Sequence, residues 1–241
     1  MSIAADTLFH FTKNIETLSL IISDKFKPSY CLEYFPGEEK NLPHCARAFP
    51  MVCFCDIRLS QLTDHTNQYG KFGIGLEKSW GIKNGLSPVH YIHTNSPTYH
   101  GINKIFEFVR TNNAIDTLKD INKSIIDLKK YLKPYSGPVW DKTELSFIGH
   151  NTFYNEREWR YVFSLPNNII LTMSYNNFIT QKVNIIERLV FDVSDVKYIF
   201  IEDESCIGDL KQRLINLNVS PKQIDIYLSK IITVKNIEND F

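Results

Sequence analysis

Apolar and polar positions along the chain predict alternating strands and helices. Residues 8–12 (LFHFT) form a short apolar and aromatic run that reads as a first strand. Asn14 follows as a helix cap, and Ile15, Leu18, Ile21 and Ile22 recur at helical spacing. Residues 25–50 carry four prolines among mixed charges and read as a long loop. Residues 51–56 (MVCFCD) read as a buried strand, 69–78 (YGKFGIGLEK) as a glycine-punctuated strand and 89–93 (VHYIH) as another. In the middle, Ile115, Leu118, Ile121, Ile125, Leu128 and Leu132 step by three and four, the mark of one amphipathic helix ended by Pro134 and Gly137. The lysines between those positions make its solvated face. Residues 158–165 (EWRYVFSL) alternate as a strand, with Trp159, Tyr161 and Phe163 on the side fit for burial. Residues 189–193 and 196–201 read as two more strands and 207–217 as a helix; the remainder from 224 is mixed.

This order predicts an α+β fold, a mixed sheet with flanking helices, in one domain over residues 1–241 with a helical insertion at 101–133. With 241 residues, 43% hydrophobic and 13% aromatic, there is ample material for such a core. Twenty-seven Lys and Arg balance 27 Asp and Glu, which disfavours broad polyanion binding, because proteins that grip a phosphate backbone usually carry a basic excess. No run is long and apolar enough to span a bilayer. The start shows no signal peptide, and five cysteines without framework spacing predict a reducing cytoplasm.

The candidate chemistry is dispersed. His44, Cys45, Cys53 and Cys55 lie close in sequence, but a C-x-C pair on one strand face fits small packed thiols better than a structural zinc site, so no metal is expected. There is no nucleophile elbow. Gly70, Gly73 and Gly75 match neither phosphate-loop pattern. In NEREWR, an extended chain would put Glu156, Glu158 and Arg160 on one face, either as a surface ion pair or as a functional set. His10, amid Leu8, Phe9 and Phe11, is either a packed core residue or a ligand.

Three blocks together, LFHFTKNIETLSLII, PMVCFCDIRLSQLTDHTNQYGKFGIGLEKSWGIKNGLSPVHYI and FYNEREWRYVF, resemble the AbiGi family of abortive phage-infection proteins. That resemblance implies a role in phage defence as the antitoxin partner of a nucleotidyltransferase-like toxin. The order of a strand histidine, a Y-G-x-x-G-x-G strand and a late strand glutamate is also similar to the ADP-ribosyltransferase layout. This second resemblance implies an ADP-ribosyltransferase-like fold and an enzyme that uses NAD as substrate. His10, Thr12, Tyr69 and Gly70 would then hold NAD, Arg47 or Arg58 its pyrophosphate, and Glu158 or Glu156 would be catalytic. The acceptor would be a macromolecule, nucleic acid among the candidates. The expected function is therefore an ADP-ribosyltransferase-like effector of phage defence, with a non-catalytic antitoxin as the alternative.

Overall fold

The computed structural model describes residues 5–37, 47–112, 119–140, 147–163, 171–172 and 184–240. It is a mixed α+β structure built on one large sheet. In chain order the elements are β1 (Thr7–Thr12), α1 (Ile15–Asp24), β2 (Ser29–Glu33), β3 (Arg47–Cys55), α2 (Leu62–Tyr69), β4 (Phe72–Glu77), α3 (Lys78–Lys83), β5 (Ser87–Pro88) and β6 (His90–Ile92). There follow α4 (Pro97–Thr111), α5 (Lys119–Lys129), β7 (Leu132–Pro134), β8 (Gly137–Trp140), β9 (Phe147–Asn151), β10 (Glu158–Val162) and β11 (Leu171–Thr172). The C-terminal part is β12 (Val196–Ile201), α6 (Cys206–Asn216), α7 (Pro221–Leu228), β13 (Ile231–Thr233) and α8 (Val234–Asp240).

The main sheet runs β13-β12-β4-β1-β3-β10-β5, with β2 and β11 also paired to β3. Only β12–β13 is parallel among its pairs; the rest are antiparallel. Alternation sorts side chains to two faces. On one, Leu8, Ile74, Leu76, Ile199 and Ile201 pack under α1, α6 and α7, which contribute Leu18, Ile22, Leu210, Leu214, Ile224 and Tyr227. On the other, Phe9, Phe11 and Phe200 meet Leu62 of α2 and Val234 and Ile237 of α8. The β4 glycines serve this second face. Gly73 pairs with Phe11 and Gly75 with Phe9, and a Cβ at Gly73 would come within 2.7 Å of the Phe11 ring. They are seats for aromatic rings, the ordinary use of a strand glycine.

Several expectations change. Residues 25–50 are not one long loop: β2 forms at Ser29–Glu33 and β3 begins at Arg47. Pro50 sits inside β3 without breaking it, because its carbonyl still accepts a hydrogen bond from Phe163 N–H. The middle helix stops at Lys129, and Leu132 belongs to β7, buried beside β6. Ile115 and Leu118 lie outside the described residues. A separate helix, α4, precedes it; Ser96 caps it and Pro97 occupies its first turn. Residues 189–193 form no strand, contributing one bridge from Leu189 to Phe26. No helix among the described residues is long and apolar enough to cross a membrane.

Candidate functional site

The site arises from a flaw in strand pairing. β10 occupies one edge of β3, from Met51 to Cys55. On the other edge β1 and β2 share the strand between them: β1 bridges only at Phe9↔Cys55, and β2 takes over from Met51 to Arg47. Beyond the single bridge β1 parts from β3, and the Cys53 carbonyl has no ladder donor from β1. The His10 ring fills the place, its Nδ1 lying 2.7 Å from that oxygen. An N–H at Nδ1 donates there, which leaves Nε2 as the acceptor of a neutral ring. Burial pushes the His10 pKa down, against the hydrogen bond to Cys53, so the neutral form is favoured.

A cavity of about 240 Å³ opens at this parting. His10, Tyr69, Glu156 and Glu158 line it together, although nearly 150 residues separate the first from the last. Cys31, Glu33, Cys53, Cys55, His65 and Lys133 complete its polar and sulfur-bearing wall. On a flat sheet Cys31, paired with Phe49, would lie about 13 Å along β3 from Cys53. Both nevertheless line the one cavity, which therefore reaches along β3 from its bridge with β1 to its pairing with β2.

The wall is an ion network. Arg160 is fully buried and grips Glu158 with two nitrogens, Nε to Oε1 at 2.6 Å and Nη2 to Oε2 at 3.0 Å. Its Nη2 also meets Glu33 Oε1 at 3.0 Å, and Nη1 donates to the Lys130 carbonyl at 2.8 Å. Lys133 Nζ bridges Glu156 at 2.6 Å and Glu158 at 2.9 Å. Tyr91 Oη accepts the Glu158 backbone N–H at 2.9 Å. Burial alone would raise the Glu158 pKa, but Arg160 and Lys133 override it and hold the carboxyl well below its usual range. Glu156 goes the other way: burial raises its pKa, and Lys133 only partly offsets that. Lys133, which burial would depress, is held above its ordinary value by Glu158, Glu33 and Glu156. The two glutamates thus differ. Glu158 is a fixed anion inside a clamp, while Glu156 keeps a stronger hold on a proton.

The expected strand face is corrected in two respects. Glu156 is not on β10 but ends a short 3-10 turn, Phe153–Glu156, and Arg157 in left-handed geometry (φ 44°) links the two. On β10 the charged side is the dry one: Glu158 and Arg160 are buried, while Trp159 and Tyr161 are half-buried. Of the other expected binding residues, Gly70 ends α2 with φ 113° and packs against the Thr12–Lys13 backbone, where a Cβ would come within 2.6 Å of the Lys13 Cα. Thr12 and Gly70 therefore join β1 to α2 beside the cavity rather than in its wall. Arg47 and Arg58 are not in the wall either; Arg47 lies over the Phe35 ring at 4.5 Å, and Arg58 stands before the turn that leads into α2. His44 and Cys45 lie outside the described residues. Glu33, Lys133 and Cys31 were not legible as site residues, since each comes from a distant segment with no local motif around it.

Residues 24–202 match the family described as "Putative abortive phage resistance protein AbiGi, antitoxin". The chain is 31% identical to the abortive phage resistance protein AbiGi of Lactococcus lactis subsp. cremoris, over 90% of this chain and 99% of that protein. No solved structure matches it. The match takes in all of β2, the segment carrying Lys133, the Phe153–Glu156 turn and β10, which together supply the ion network, and the chain belongs to the AbiGi family of abortive phage resistance proteins.

Proposed function

We propose that this protein works in abortive phage resistance as an antitoxin, restraining a toxin partner by binding rather than by catalysis. The family description supports this role. The observation that carries the non-catalytic part is the state of Glu158, the strand glutamate in the position a transferase would use. Both its oxygens are held by Arg160, and one also by Lys133. A carboxylate so neutralised has little field left to stabilise a developing cation. The cavity is also smaller than the roughly 300–1,000 Å³ usual for small-molecule sites, and three carboxylates against Lys133 and Arg160 make a poor seat for a pyrophosphate. The test is growth. Expressed alone, the chain is harmless; expressed with the toxin of its defence system, it restores growth and co-purifies with it. Growth arrest by this chain alone would reverse the roles.

A second reading is favoured by one observation: His10, Tyr69 and Glu156 converge on one cavity. In an ADP-ribosyltransferase-like enzyme using NAD, His10 Nε2 would accept from a ribose hydroxyl, Tyr69 would stack, and Glu156 would serve as the carboxylate, because Glu158 is occupied. That reading predicts nicotinamide release from NAD that disappears in Glu156→Gln.

A further inference from the structure

We infer that a second cleft, between α2 and the Phe153–Glu156 turn, is a nucleobase-binding site. It is larger than the first, about 630 Å³, and shares only His65 and Glu156 with it. Four carboxamides, Gln61, Gln68, Asn151 and Asn155, converge on it. None of these side chains has a partner among the described residues. A carboxamide offers a donor and an acceptor side by side, the pattern that pairs with the edge of a base.

Aromatic rings flank the amides on both sides. On the inner wall His65 stacks on Tyr69, with centroids 4.4 Å apart and planes 30° from parallel. Burial, helped by nearby His10, pushes the His65 pKa down to about 4, so the ring is uncharged at neutral pH. On the outer rim Tyr154 stacks on Tyr135 at 5.4 Å and 24°, and both residues remain partly open to solvent, 49% and 40% exposed. Exposed, paired aromatic faces are the platforms on which bases stack. The charges argue against a phosphate as the recognised group, since Asp64 and Glu156 outnumber Arg157 in the lining. The ligand that fits is flat, uncharged and rich in donors and acceptors: a nucleobase, carried either by a free nucleoside or by a single strand. The inference stands apart from both readings above.

The test titrates adenosine, guanosine, cytidine and thymidine into the full chain at up to millimolar concentration, followed by saturation-transfer NMR and calorimetry. Ribose and inorganic phosphate are the controls, and a short mixed-sequence DNA strand is the second arm. At least one nucleoside binds and the controls do not. Gln61→Ala and Asn155→Ala, both at exposed positions, each weaken binding about tenfold. Tighter binding of the strand, with the same losses, assigns the base to a single strand; binding no tighter than the nucleoside assigns it to the free form. No saturation by any nucleoside, or binding indifferent to both substitutions, overturns the inference.

Discussion

Two dry regions border β3, and they are made in opposite ways. Under α1, α6 and α7, Leu8, Leu18, Ile74, Ile199, Leu210 and Leu214 are all fully buried and purely apolar. Along β10, Arg160 is equally buried, yet it is held by Glu158 and Glu33, with Lys133 and Glu156 adjoining. Apolar burial is non-directional and tolerates a change of shape. A buried ion network is directional, and each charge depends on its partners staying in place. The first region holds the helices on the sheet. The second fixes the geometry of the cavity wall.

The sharpest way to break this comparison is at Arg160. Arg160→Leu takes the guanidinium from Glu33 and leaves Glu158 to Lys133 alone, and costs about 3–5 kcal/mol, read by urea unfolding. Arg160→Lys keeps the charge but loses the two-nitrogen grip and the bond to the Lys130 carbonyl, so it does not restore stability. In the apolar region the matching conservative change, Leu8→Met, costs under about 1.5 kcal/mol, while Leu210→Ala costs about 2–5 kcal/mol. If Arg160→Lys proved as mild as Leu8→Met, the distinction would be lost. Smaller effects separate the glutamates. Glu158→Gln removes the centre of the network and costs about 2–3 kcal/mol, whereas Glu156→Gln, which loses a pairing already opposed by burial, costs about 1 kcal/mol or less.

Acid sharpens the same contrast. The unfolded chain takes a proton on His65 near pH 6.5, but the folded protein refuses it until about pH 4. Stability therefore falls as pH drops through that window, by roughly 3 kcal/mol for this ring. His65→Asn flattens the slope. Glu158, whose folded pKa is depressed, adds its loss only below the ordinary carboxylate range.

Runs of β-branched and aromatic residues were legible as strands. Residues 196–201 match β12 to the residue, and the N-cap at Asn14 is made as expected, accepting from Thr17 N–H. β10 misled because an alternating Glu–Trp–Arg–Tyr pattern assigns burial to the rings. Here the partners that let Glu158 and Arg160 be buried, Glu33 and Lys133, come from β2 and β7, and no local pattern announces them. Pattern reading also ran α5 into β7, since Leu132 keeps helical spacing while pairing as a strand with His90. The meeting of His10 with Glu156 depends on β1 parting from β3, a long-range event that neither segment encodes alone.

The most direct test of binding without catalysis is toxin neutralisation by Glu156→Gln, with its folding checked by thermal unfolding. The account predicts a folded variant that protects cells from the toxin as well as the unmodified protein does. A variant that stays folded yet loses protection, together with nicotinamide release by the unmodified protein alone, would contradict it.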